Sequence, residues 1–127
     1  PELRYRVLRG FSVRQARCSE GMLRWGRYWL ESVGYGAAPV RSSLSHREYL
    51  LLDVIARAGG RIVRREVLEA IVSAWSFGAE PGGTGGTRAL DMQISRVRGR
   101  LRRVTAGWSV RPTVSSARSE GYYFTCG

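Results

Sequence analysis

TRALDMQISRVRGRLRR, Thr87 to Arg103, has the period of a helix, with an apolar stripe on one side and arginines elsewhere. At about 100° per residue, Leu90, Ile94, Val97 and Leu101 fall within about 60° of one another and predict a single buried face. Arg88, Met92, Ser95, Arg96, Gly99 and Arg103 lie opposite, with Arg98 and Arg102 on one flank and Arg100 on the other. Asp91 is the only acid in the segment and falls in the first turn of the predicted helix, where a carboxylate suits the dipole. A helix of this kind can be anchored by a core while its arginines enter a charged groove. The same pattern also suits a solvated amphipathic helix whose arginines serve solubility.

On the N-terminal side, Ser76 to Gly86 reads SFGAEPGGTGG, with five glycines and a proline, and predicts an exposed loop. Before it, Arg65 to Trp75 predicts a helix facing the core with Val67, Leu68, Ile71, Val72 and Trp75, preceded by a short link at Ile62-Val63. Ser45 followed by Glu48 is a capping-box pattern. The helix it opens buries Tyr49, Leu52, Ile55 and Ala56 and ends at Gly59-Gly60. Residues 23–43 predict a small antiparallel sheet, Leu3 to Leu8 a further strand, and residues 9–22 a loop or weak strand. Beyond the arginine-rich helix, Trp108 to Pro112, Val114 to Arg118 and Gly121 to Cys126 predict strands closing in a hairpin. One domain is expected: an N-terminal extension or extra strand (1–22), the sheet (23–43) and a helical core with its hairpin (44–127). The order sheet, three helices, hairpin predicts an α+β winged helix-turn-helix.

The composition fits that outline. A chain of 127 residues with 43% hydrophobic content can hold a core without metals or disulfides. Its formal charge of +11 calls for a polyanionic partner, nucleic acid first among them. All 21 basic residues are arginine, a group suited to bidentate contact with phosphate and guanine, although a GC-rich genome produces the same bias. Cys18 and Cys126 are far apart in sequence and form no metal-binding pattern, so free thiols in a reducing cytosol are expected. No apolar run reaches the roughly 20 residues of a membrane span, and a soluble cytoplasmic protein is expected. The chain opens on Pro1 rather than methionine, which suggests a processed protein or an excised piece of a longer one.

Four blocks in order carry a resemblance: LSHREYLLL at Leu44 to Leu52, GGRIVRREVL at Gly59 to Leu68, TRALDMQISRVRGRL at Thr87 to Leu101 and GYYF at Gly121 to Phe124. Together they resemble the OmpR/PhoB-type winged-helix DNA-binding domains of bacterial response regulators. The resemblance implies a third helix in the major groove, a wing arginine in the minor groove and phosphate contacts from the second helix and loop. By position, Arg96 is the base-reading arginine and lies on the face opposite the apolar stripe, with Met92, Ser95 and Arg103. Arg88 and Arg65 match phosphate-binding arginines, Trp75 a tryptophan near the backbone, and Arg118 the wing arginine. Ser116 and Tyr122 match hydroxyl-bearing phosphate contacts.

Several positions depart from the family pattern. Trp75 stands two residues late, Ser119 replaces a glycine, Glu120 adds a negative charge, and Gly99 replaces a basic residue at a helix cost of up to about 1 kcal/mol.

The resemblance implies a transcription regulator bound as a tandem dimer to duplex DNA in the bacterial nucleoid, with loop 76–86 available to RNA polymerase. The alternative is a winged-helix adaptor docking an acidic protein or the polymerase, which the departures at Trp75, Ser119 and Glu120 motivate. No enzyme activity, metal or other cofactor is expected. His46 is the only histidine and lacks the partners of an acid–base or metal site, so it reads as a surface residue. GGTGG lacks the lysine of a phosphate-binding loop. Arg100 and Arg102 read as solvated groups at the helix end, where cations suit the dipole.

Overall fold

The computed structural model describes residues 13–74 and 85–126. These form an α+β fold with a four-stranded antiparallel sheet, three helices and a C-terminal hairpin. Strands β1 (Arg14–Cys18), β2 (Gly21–Gly26), β3 (Trp29–Gly34) and β4 (Val40–Ser43) pair in chain order as a meander. Strand alternation sends Leu23, Trp25, Leu30, Ser32 and Ser42 inward, while Arg24, Glu31 and Arg41 stand in register on the outer face.

The sheet therefore begins at Arg14, not at residue 23. Within RQARC the inward positions past Arg14 are only Ala16 and Cys18, too small to give a hydrophobic period, so β1 is specified by its pairing with β2. The strand expected over Leu3 to Leu8 lies outside the described residues.

Helix α1 (His46–Arg57) carries both halves of the capping box: Ser45 Oγ accepts from the Glu48 amide at 3.1 Å, and Glu48 Oε1 accepts from the Ser45 amide at 2.8 Å. It buries Tyr49, Leu51, Leu52 and Ile55, and the chain leaves it through Gly59 at φ 64° and Gly60 at φ 92°, a left-handed turn that glycine permits.

Ile62-Val63 is not merely a link, because Val63–Arg64 form strand β5. Helix α2 (Arg65–Ala74) follows, its Arg65 amide donating to the Glu120 carbonyl at 2.9 Å in place of a side-chain cap. Leu68 and Val72 are buried and Ile71 partly so, but Val67 is 48% exposed. The i, i+4 face of Leu68 and Val72 sets the core side, and Val67 points about 100° away from Leu68. Trp75 lies outside the described residues.

Helix α3 (Gly85–Val104) begins two residues before Thr87, so Gly85 and Gly86 are helical rather than loop. The first turn's amides need no intrahelical partner, which makes glycine tolerable there. Asp91 consequently sits beyond the first turn, and that turn holds no acid. The stripe is as expected: Leu90, Ile94, Val97 and Leu101 are no more than 1% exposed.

Trp108 to Pro112 is not a strand. Its Ser109 amide donates to Glu20 Oε1 at 3.0 Å and its Val110 amide to Glu20 Oε2, so its donors turn to a side chain and not to a neighbouring strand. The hairpin is β6 (Thr113–Ala117) and β7 (Gly121–Thr125), and β7 lies between β5 and β6. Gly121 is required at the β5 crossing, since a Cβ there would lie 2.0 Å from the Val63 carbonyl oxygen.

The two cysteines are not free. Cys18 at the end of β1 and Cys126 just after β7 form a disulfide across 108 residues of sequence, with Cα atoms 5.2 Å apart. The meander and the hairpin bring the end of β1 beside the end of β7, which sequence spacing cannot show. Among the described residues no helix is long and apolar enough to cross a membrane.

Candidate nucleic-acid interface

The outer side of α3 is bounded by two flanks whose side chains are hydrogen-bonded to neighbouring elements. On one flank Arg100 reaches α1, with Nε donating to Glu48 Oε1 at 3.4 Å. Glu48 is only 1% exposed, so the pair is part of the packing and Arg100 is not a solvated helix-end cation. On the other flank Asp91 and Arg98, two turns apart, face α2 and the hairpin. Asp91 Oδ1 accepts from Arg65 Nη2 and from the Tyr122 hydroxyl, both at 2.7 Å, and Arg65 also bonds Glu69 Oε2 at 3.2 Å. Arg98 Nε donates to the Val114 carbonyl at 2.7 Å and its Nη2 to Ser116 Oγ at 3.0 Å.

Electrostatics tighten this second flank. The hydrogen bond to Asp91 raises the Arg65 guanidinium above its ordinary value, with Tyr122 adding to the effect. Burial works to raise the Asp91 carboxyl, yet the hydrogen bonds from Tyr122 and Arg65 outweigh it and leave the group below its usual value. Burial, with the bond to Asp91, pushes the Tyr122 hydroxyl upward.

Between the flanks runs an arc of about 100° that holds Arg88, Met92, Ser95, Arg96, Gly99 and Arg103. Arg88, Met92, Ser95, Arg96 and Arg103 are exposed, and Gly99 is partly so. Among the described residues none of the acids pairs with Arg88, Arg96 or Arg103. Shallow clefts lie on either side of Arg96, one lined with Glu48, Arg100 and Arg103, the other with His46, Arg47 and Gln93. His46 is half-buried, its ring tilted between those of Tyr28 and Tyr49, so it is not a plain surface residue.

Arg118 stands exposed in the hairpin turn with φ 50°, a left-handed conformation that costs a side-chain-bearing residue about 1 kcal/mol or more. The Glu120 amide closes that turn onto the Ala117 carbonyl at 2.9 Å.

The sequence-derived set thus divides into open and engaged residues. Arg88, Met92, Ser95, Arg96, Arg103 and Arg118 present open side chains. Arg65, Ser116 and Tyr122 are engaged within the protein, and Tyr122 is only 6% exposed. Trp75 is outside the described residues. Sequence reasoning missed Arg98 and gave Asp91 only a helix-dipole role. The signal available was their seven-residue spacing on one flank of the helical wheel, but the partner on that flank was not readable. Comparison of the chain with known protein families, characterised proteins and solved structures finds no match.

Proposed function

We propose that this chain is a winged helix-turn-helix domain that binds duplex DNA sequence-specifically and regulates transcription, with α3 in the major groove and the β6–β7 hairpin as a wing in the minor groove. The observation that carries this reading is the open arginine arc of α3, unpaired with carboxylates and bordered by braced flanks. A rod about 10–12 Å across with cations on its outer side fits a major groove about 12 Å wide. Arg96 stands midway along the helix, on the edge of the arc nearer Arg100, where a guanidinium can bond the O6 and N7 of guanine. Arg88 and Arg103 lie toward the two ends, placed for phosphates.

Arg118 supports the wing assignment. A left-handed turn position favours glycine, and the exposed arginine that occupies it at a conformational cost suits insertion into a narrow minor groove. Arg65 and Tyr122 are assigned the role of holding the wing and α2 to α3, and phosphate contact by them would require loosening the bonds to Asp91. In the same reading the domains bind repeated half-sites in tandem, and the segment 76–84, which lies outside the described residues, is a candidate polymerase contact.

Titration against labelled random and selected duplexes at several salt concentrations tests the proposal. Binding should weaken linearly in logarithmic coordinates as salt rises, with a slope near −0.9 for each phosphate neutralised. Absence of binding to any duplex at low salt would reject it in favour of a protein-docking adaptor.

A further inference from the structure

The helical wheel puts Arg98 at the edge of the arginine surface, and the DNA reading above gives it no part. Its guanidinium nevertheless leaves the helix and spans the hairpin, bonding the Val114 carbonyl through Nε and Ser116 Oγ through Nη2 while lying 5.7 Å from the centre of the Tyr122 ring. Arg65 approaches the same ring at 5.8 Å. Seven residues before Arg98, Asp91 holds the Tyr122 hydroxyl.

To the pairing of β7 with β5 and the burial of Val114, Tyr122 and Phe124, α3 thereby adds two polar attachments of the hairpin about 10 Å apart along the helix axis. The sheet and core fix the base of the hairpin, and the Arg98 fork on β6 restrains the remaining tilt of its tip relative to α3. Lysine cannot replace this fork, because one ammonium lacks the two donors in fixed directions that Arg98 uses on Val114 and Ser116.

We infer that Arg98 is a positioning residue that sets the distance between the two DNA-reading parts, the arc around Arg96 and the guanidinium of Arg118. This rests on the DNA reading and deepens it by specifying the substrate. The preferred duplex carries a guanine step in the major groove and, at one fixed offset, an A·T-rich stretch whose narrow minor groove receives Arg118. A hinged wing would accept a range of offsets.

The test is selection of bound duplexes from a random pool by the full chain, run in parallel for wild type, Arg98→Ala and Arg98→Lys, with the melting temperature of each variant recorded. Wild type should enrich both elements at one spacing. Arg98→Ala should keep the guanine positions while its preference for the A·T element at that spacing falls about tenfold, the scale of one mismatched position. Arg98→Lys should behave like Arg98→Ala although it keeps the charge.

The inference is overturned if Arg98→Lys recovers the full profile, which would make charge alone sufficient. It is also overturned if Arg98→Ala retains the spacing, or weakens binding to all sequences alike as a plain phosphate contact would. Should both Arg98 variants unfold, Ser116→Ala removes one acceptor of the fork and should broaden the spacing by a smaller factor; an unchanged spacing counts against the inference. A wild-type chain that enriches no sequence overturns the DNA reading itself and this inference with it, while failure confined to the variants leaves the DNA reading standing.

Discussion

The cluster around Glu31 on the outer face of the four-stranded sheet and the outer arc of α3 are both rich in arginine, yet their charges are managed in opposite ways. On the sheet, Glu31 takes Arg24 at 3.6 Å and Arg41 at 3.5 Å, and Arg41 also lies 4.6 Å from the Trp29 ring centre. Nearby, Asp53 accepts from Arg14, Arg57 and the Trp25 indole. On α3 the carboxylates stand on the flanks, and the arc between them keeps Arg88, Arg96 and Arg103 without acidic partners among the described residues. The net charge of +11 is therefore less instructive than the placement of the acids. Where they pair with arginine the surface is structural, and where they are withheld it is available to a polyanion.

The largest expected effect separates anchor from display. Leu101→Ala, in the fully buried stripe, should lower unfolding free energy by about 2–5 kcal/mol in urea titration. Arg96→Ala on the opposite side of the same helix should change it by less than about 0.5 kcal/mol. Equal losses would show that the arc is not a free surface.

Next in size is the contrast between the two arginine surfaces. Arg96→Ala should cost about 1–3 kcal/mol in affinity for a selected duplex and relax one position of the site. Arg41→Ala should leave that affinity unchanged within error, since its partner is Glu31. Fluorescence anisotropy at fixed salt measures both, and a comparable loss from Arg41→Ala would break the comparison.

Gly99→Ala probes the arc more finely. A Cβ at Gly99 would meet only Arg102 Nη2, at 3.9 Å, so the free protein should gain up to about 1 kcal/mol of stability from better helix propensity. If the arc packs against a duplex backbone at that point, the same variant should bind more weakly. A rise in stability with unchanged binding would mean that the duplex does not approach Gly99 closely.

The smallest effect concerns pH. The folded Asp91 carboxyl lies below its ordinary value of 3.8, so its contribution to stability is present above that value and is lost as pH falls through the lower, folded one. Glu20, held low by the Val110 and Ser109 amides, behaves in the same way on the sheet side. Asp91→Asn should remove only the α3 part of the acid destabilisation below about pH 4, leaving the Glu20 part. Denaturant titrations across that range should show the reduced slope, which is modest because Asp91 is half exposed.

Much of this was legible without coordinates because it depends on local periodicity and local chemistry. The α3 stripe follows from the 3.6-residue repeat, the start of α1 from Ser45 and Glu48, its end from Gly59-Gly60, and the C-terminal hairpin from alternation about a polar turn. Strand β1 was hidden because its inward side chains past Arg14 are small, and β5 because two residues carry no period.

The sequence by itself determined which side of α3 is buried, how the helices begin and end, and that the chain carries a large cationic excess. Only the tertiary structure decided which arginines remain open. Arg100 is taken by Glu48, Arg65 by Asp91 and Arg98 by the hairpin carbonyl and hydroxyl, through contacts spanning 16 to 52 residues. The pairing of Cys18 with Cys126 belongs to the same class. The physical reason is that helical and strand periods act between neighbours in sequence, whereas the partner of a long polar side chain is set by which elements the core packs side by side.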